Sequence, residues 1–291
     1  MQRYQLKNRD LSFKYVLAWF SALILAFLLL TYFAIYTYAG QILDENISKA
    51  THSNMDFFYG NIHKFLTPFL LFETVIMALG IGIYAIKTKL IAQSIIVGIF
   101  VLGINFLVRT LKFDVIERPQ LFLTVLHYID KYNPNTFPSS HTTVLASLAS
   151  AILIIAAPRY KAVLGFWATT AAVIMSSILY LGVFHRASDV LASFLLVTSF
   201  SIITMLILVI YFGLEPVETI WQSKWFTIAK IIVVISLCGL VLSTLTISLG
   251  FANSAFKGPM ILLATVMAIT GTGFSLYLLQ IAVLRKLLRS S

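Results

Sequence analysis

Residues Asp189 to Gly213 read Asp189-Val190-Leu191-Ala192-Ser193-Phe194-Leu195-Leu196 and on through VTSFSIITMLILVIYFG, with no charged side chain after the first. A spanning helix needs about 20 mostly apolar residues, and this run exceeds that length. It is preceded by His185-Arg186-Ala187-Ser188. Seven further stretches have the same character or nearly so: roughly 16–39, 66–86, 90–110, 142–158, 162–184, 228–250 and 259–283. The fourth run, 142–158, is short, which places part of its polar start inside the protein rather than in lipid. The first is too long for a signal-peptide core and reads as an uncleaved span.

Composition agrees. The 291 residues are 59% hydrophobic and only 11% charged, with mean hydropathy +0.93. Soluble domains carry about 25% charge, so this chain cannot cover a water-facing surface. The expected fold is all-α: a polytopic membrane helical bundle of about eight transmembrane helices, forming a single membrane domain over 1–291. The net charge of +10 comes from short basic clusters between apolar runs. That pattern fits anionic lipid headgroups and the positive-inside bias, not nucleic acid. The single cysteine, Cys238, lies in an apolar run, which excludes an internal disulfide and a thiolate metal site.

The basic residues also set an orientation. With the N-terminus inside, the inner segments hold Arg3, Lys7, Arg9, Lys14, Lys87, Lys89, Arg159, Lys161, Lys224, Lys230, Arg285, Lys286 and Arg289, 13 of the 21. Both termini are then cytoplasmic in a plasma-membrane protein. The segment after the third span and the turn after the fifth fall together on the outer face. Residues 40–65 are polar and are expected to form a small outer cap. Leu121–Asp130 is expected to lie as a short helix at the interface, and 132–135 reads as a turn.

Those two outer segments carry the polar groups that an apolar chain has least reason to hold. Glu117-Arg118-Pro119 is followed by Phe137-Pro138-Ser139-Ser140-His141-Thr142, and later by His185-Arg186-Ala187-Ser188-Asp189. Arg118 offers a planar fork suited to phosphate oxygens. Pro138 precedes a helical run, so Ser139 and Ser140 present hydroxyls and backbone N–H groups at a helix N-terminus, a ready anion site. His141 lies in that first turn. His185 and Asp189 are four apart, so on a helix the carboxylate accepts the imidazole N–H and leaves the other ring nitrogen free to attack phosphorus. Two histidines and one carboxylate make a poor dimetal site; no metal or other cofactor is expected.

These three segments resemble the signature of the phosphatidic acid phosphatase type 2 family, membrane lipid phosphatases related to vanadium haloperoxidases. That signature reads Lys-x6-Arg-Pro, then Pro-Ser-Gly-His, then Ser-Arg-x5-His-x3-Asp. The resemblance covers about 66–213, a phosphatase-like core in a family whose core commonly has six spans, and leaves 214–291 as a two-span extension. It implies that His185 is the nucleophile that becomes phosphohistidine, that Asp189 orients it, and that His141 protonates the leaving oxygen. It implies phosphate binding by Arg118, Ser139 and the backbone at Ser140, which stands where glycine is usual.

Two positions depart from the signature. The motif lysine falls at Leu111, one residue before Lys112, so Lys112 serves only if the helix unwinds there or its stem bends back. The third-motif arginine is absent, with Arg186 preferred over Arg109 as its replacement. The implied activity is hydrolysis of a phosphate monoester or pyrophosphate on a lipid at the outer face: a polyprenyl pyrophosphate, phosphatidic acid or phosphatidylglycerol phosphate. The implied partners are that lipid phosphate and the surrounding membrane lipids. The alternatives are a lipid-linked phosphotransferase and a non-catalytic lipid-phosphate binder or transporter.

The remaining candidates have plainer readings. His52, His63 and His127 read as satisfied interfacial groups, and Glu73 as a helix-packing residue. Trp19, Trp221 and Trp225 fit interfacial belts. Gly80, Gly82, Gly98 and Gly103 are expected to permit close helix approach.

Overall fold

The computed structural model describes residues 9–52, 72, 75–76, 78–84, 86–88, 90–119, 135–182, 184–212, 223–248 and 254–289. Among them there is no strand. The elements are α1 (Arg9–Tyr36), α2 (Tyr38–His52), α3 (Ile91–Thr110) continued by a π-helical segment (Leu111–Val115), α4 (Ser140–Ile155), α5 (Pro158–Leu181), α6 (Ala187–Phe212), α7 (Lys224–Ser248) and α8 (Ser254–Arg289). His63, Glu73, His127, Trp221 and the expected interfacial helix at 121–130 lie outside the described residues.

Six of these segments are long and apolar enough to cross a membrane: Phe13–Tyr36, Ile91–Val115, Arg159–Leu181, Ala187–Phe212, Lys224–Ser248 and Lys257–Leu287. The protein is therefore a multi-pass helical membrane protein. Of the eight expected runs, 66–86 is described only in part, at 72, 75–76, 78–84 and 86. The fourth run, now α4, is apolar but only 16 residues long.

α4 and α6 form the interior. α6 is buried along nearly its whole length, and α4 from Thr142 onward. α1, α3, α4 and α8 all pack on α6. Lipid tails are as apolar as leucine, so burial against lipid does not drive this packing; close fit and interhelical hydrogen bonds do. Gln280 of α8 supplies such bonds, donating to Ser150 of α4 (3.1 Å) and Thr198 of α6 (3.4 Å). Tyr277 donates to the Ala162 carbonyl of α5 at 2.9 Å. Gly273 brings α8 close, since a Cβ there would stand 2.4 Å from Val173 Cγ2.

The C-terminal pair is thus unequal. α8 shares the core of α4–α6, so no packing boundary follows residue 213. α7 rests mainly on α8 and turns Ile231, Val234, Leu237 and Leu242 outward, beside an exposed Cys238. The expected close approaches at Gly80, Gly82, Gly98 and Gly103 are not made among the described residues, where nothing lies within 4 Å of a Cβ built on any of them. Gly80, Gly82 and Gly103 are exposed there and Gly98 is half-buried.

The first apolar run ends at Tyr36 rather than near residue 39. Thr37 donates its hydroxyl to the Phe33 carbonyl (2.6 Å) and accepts the Gly40 N–H (3.0 Å), closing α1 and capping α2. Gly40 is required at this bend, because a Cβ would fall 1.9 Å from the Phe33 carbonyl oxygen. α2 then runs inverted relative to an ordinary surface helix. Gln41, Asp44, Glu45 and Ser48 share one face by their three- and four-residue spacing, and all four are buried, while Tyr38 and Leu43 are exposed.

Candidate active site

The site lies where helix ends meet at one end of the bundle: the end of α1, the start of α2, the π segment after α3, and the starts of α4 and α6. Ser139 is the N-cap of α4, its Oγ accepting the Thr142 N–H at 3.2 Å. Its own N–H donates to the Asp189 carbonyl at 3.1 Å, and Ser193 Oγ donates back to the Ser139 carbonyl at 2.9 Å. Two helix N-termini are thereby clasped together. The cap takes one of the N–H groups of α4's first turn and leaves those of Ser140 and His141 for a ligand. Ser139 itself is fully buried, so its hydroxyl serves first as a structural cap.

His141 and His185, 44 residues apart, meet across this junction with Nδ1 of the first 3.3 Å from Nε2 of the second. Their ring planes are inclined by 66°. His141, in the first turn of α4, is exposed; His185 is buried. His185 is not on α6 but precedes its first residue, so the expected helical pairing with Asp189 takes a different form. Asp189 closes a capping box at the start of α6, accepting the Arg186 N–H at 2.9 Å and the Thr136 hydroxyl at 2.5 Å, both on Oδ2. His185 Nδ1 stands 3.6 Å from that same oxygen, an ion-pair distance just beyond hydrogen-bonding reach.

Arg118 emerges from the extended chain after the π segment. Its guanidinium lies 3.9 Å from Asp189 Oδ1 and 3.4 Å from Asp44 Oδ2. Ser188 donates its hydroxyl to the same Asp44 oxygen. Arg186 is buried in this cluster and acts electrostatically on Arg118, Asp44 and Asp189, whereas Arg109 is exposed on α3. Burial lowers the Arg118 guanidinium from its ordinary value, Arg186 adds to that, and Asp189 and Asp44 oppose it. Burial raises the Asp44 carboxyl above 3.8; Arg118 opposes the rise, Asp189 adds to it, and Ser188 and Arg186 oppose it.

The one-residue offset of Lys112 coincides with a change of helix type. In the π segment Ile116 N bonds to Leu111 O at 2.7 Å, a five-residue step. Such a turn absorbs one extra residue, and π turns recur at functional sites. Lys112 is half-buried there and within electrostatic range of His141 and Asp189. Asn135 fixes the end of the segment: its amide donates to the Lys112 carbonyl at 2.8 Å and to the Ile116 carbonyl, and its Oδ1 accepts the Phe137 N–H at 3.2 Å. Phe137 is fully buried and stacks on Phe27 of α1, and the Phe137–Pro138 peptide is cis.

The structure thus gathers Arg118, Ser139, Ser140, His141, His185, Arg186 and Asp189 around one junction, with Lys112 beside it. Sequence reasoning missed Asp44, Asn135, Thr136, Ser188 and Ser193. Asn135 and Thr136 directly precede the Phe137-Pro138 motif, and Asp44 belongs to the four-residue polar stripe of α2. Arg118 Nε, His185 Nδ1 and Asp189 Oδ1 are buried here with no hydrogen-bond partner. All three belong to the ion pairs that Asp189 makes with Arg118 and His185, at 3.9 and 3.6 Å, so these groups are held together by charge rather than by hydrogen bonds. No group of three metal-ligating side chains occurs among the described residues. No protein-family model, curated protein or solved structure matches this chain.

Proposed function

We propose that this protein is an integral membrane lipid phosphatase of the phosphatidic acid phosphatase type 2 kind, working through a phosphohistidine. The observation that carries the reading is the 3.3 Å meeting of His141 and His185 beside the buried Arg118 and Asp189. The two imidazoles come from separate segments, and an anion-binding helix junction adjoins them.

The environments separate their roles. His185 is buried with one nitrogen facing Asp189, so its orientation is held and it is the nucleophile. His141 is exposed and exchanges protons with water, so it is the general acid and base. Arg118, Arg186, Lys112 and the N–H groups of Ser140 and His141 hold the non-bridging oxygens. His185 Nε2 forms a bond to phosphorus as the ester or anhydride P–O bond breaks, and His141 gives its proton to the leaving oxygen. Water then attacks phosphorus, the P–N bond breaks, and His141 takes the water's proton. Reacting atoms need about 3–3.5 Å between them before bond formation, and phosphorus must stand between the two rings. The 3.3 Å contact leaves no room for it, so His141, on the exposed side, swings outward as substrate binds.

The substrate is a phosphate monoester or pyrophosphate on a lipid: a polyprenyl pyrophosphate, phosphatidic acid or phosphatidylglycerol phosphate. A site at the rim of the bundle lets the tail stay in the bilayer while the headgroup reaches the histidines. The end of α1 and the end of α3 both lie at this rim, and the apolar run 66–86 stands between them in the sequence. Together with α4 this supports eight crossings. The charge bias along the chain supports a plasma-membrane protein with cytoplasmic termini and the site on the outer face.

The test is phosphate release by purified protein from a panel of lipid phosphates, with His185→Ala alongside. Turnover should fall about a thousandfold or more, as removal of a nucleophile does elsewhere, and an acid-labile, alkali-stable phosphoenzyme should form only with His185 present. Equal turnover by the two proteins would discard the mechanism.

A further inference from the structure

Asp44 takes no part in the chemistry above, yet it is 5% exposed and lies on groups that chemistry requires. Its Oδ2 receives the Arg118 guanidinium and the Ser188 hydroxyl. A guanidinium and a hydroxyl in the first turn of a helix are donors that recognise a phosphate oxygen. We propose that Asp44 is an internal anion seated where a ligand's phosphate binds, and that an incoming phosphate displaces it. This rests on the reading of the junction as a phosphate site.

Charge balance argues for displacement. Arg118 and Arg186 are offset by Asp44 and Asp189. A phosphate entering beside both carboxylates meets two like charges at close range in a poorly solvated site, which weakens its binding. Asp189 cannot leave, because its side chain builds the start of α6. Asp44 can, because it belongs to a different helix joined to α1 at the single residue Thr37. Its two partners on Oδ2 are side chains, and among the described residues no backbone N–H donates to it. The guanidinium is also incompletely used: Arg118 Nε has no partner, and a phosphate brings more oxygens than one carboxylate.

The rest of α2 suits a cover held by polar contacts. Gln41 donates to the Pro119 carbonyl at 2.7 Å, directly beyond Arg118. Tyr180 of α5 donates to the Ile47 carbonyl at 3.3 Å. The buried face of α2 is mainly the polar stripe, with Ala50 and the half-buried Ile47 beside it, so lifting it exposes chiefly hydrogen-bonding groups to water.

The experiment uses the full chain in lipid nanodiscs and inorganic orthophosphate as the probe. Asp44→Asn keeps the shape and removes the charge, and should bind orthophosphate about tenfold tighter or more. Asp44→Glu should keep wild-type affinity. In turnover, Asp44→Asn should lower KM for a lipid phosphate, a change in the opposite direction to general loss of structure. Without any variant, saturating orthophosphate should speed amide exchange across Tyr38–His52 in the wild-type protein. Orthophosphate binding that is equal or weaker in Asp44→Asn, or exchange in α2 that is unchanged or slower, would overturn the role of Asp44 alone. Absence of orthophosphate binding by both wild type and Asp44→Asn would overturn the phosphate site itself, and this inference with it.

Discussion

Two buried carboxylates flank Arg118, and they are held in different ways. Asp189 is part of the scaffold: a backbone N–H and the Thr136 hydroxyl bind one of its oxygens, and its carbonyl anchors the start of α4. Asp44 arrives from a separate helix and is held by two side chains. Similar chemistry thus serves as a fixed wall in one place and as a movable occupant in the other. What separates them is whether the backbone takes part, since an acid that caps a helix cannot move without unmaking the helix start.

The difference can be broken most severely at the fixed side. Asp189→Ala should abolish turnover and destabilise the fold by about 3–5 kcal/mol, because it strips a buried partner from Arg118 and from the cap. Phosphate release and a thermal unfolding midpoint measure the two effects. Thr136→Val keeps the charge but removes one hydrogen bond to Asp189, and should cost about 1–3 kcal/mol with a smaller loss of turnover. Ser139→Ala removes the α4 cap and should cost about 1 kcal/mol, read from the same unfolding midpoint. A Ser139→Ala protein that keeps its stability would show that the hydroxyl serves the ligand rather than the helix.

The movable side gives the gentlest effect, visible as a pH dependence. Burial raises the Asp44 carboxyl above its ordinary 3.8. The folded protein therefore keeps this proton at pH values where the unfolded chain has lost it. Stability from this residue is greatest at and below the ordinary value and declines as pH rises toward the raised one. Arg118, Asp189, Ser188 and Arg186 all act on this carboxyl. Unfolding midpoints measured across that interval should show the decline in the wild type and a flatter profile in Asp44→Asn. Identical profiles would show that Asp44 does not carry a raised value in the folded protein.

Much of the arrangement was legible in the chain. Long apolar runs declare spans through length alone, and six such helices are present. Arg118, His141, His185 and Asp189 fall in short motifs, and local chain geometry carries each motif intact into the junction. What the chain does not show rests on long-range contacts. Residues 40–65 read as a polar outer cap; their described part, α2, covers the junction with its polar stripe turned inward against the site. The spacing of Gln41, Asp44, Glu45 and Ser48 held that information, but only a neighbouring arginine gives it meaning. The glycines at 80, 82, 98 and 103 permit close contact by their size, but contact also needs a facing helix, and among the described residues none stands within 4 Å of a Cβ built on them. His185 and Asp189 were placed on one helix by spacing, and the turn that separates them lies in their capping hydrogen bonds, which spacing does not reveal.

The widened turn at Leu111–Val115 has a consequence for how such a chain tolerates change. A residue added inside an ordinary helix rotates everything beyond it by about 100°, which would carry the Arg118–Pro119 segment away from its partners. Here the surplus residue is stored as local slack, so the two sides of the insertion keep separate alignments. Excising one residue between Leu111 and Val115 should therefore restore an unbroken coil and leave Arg118 in place, while turning Lys112 to a new bearing.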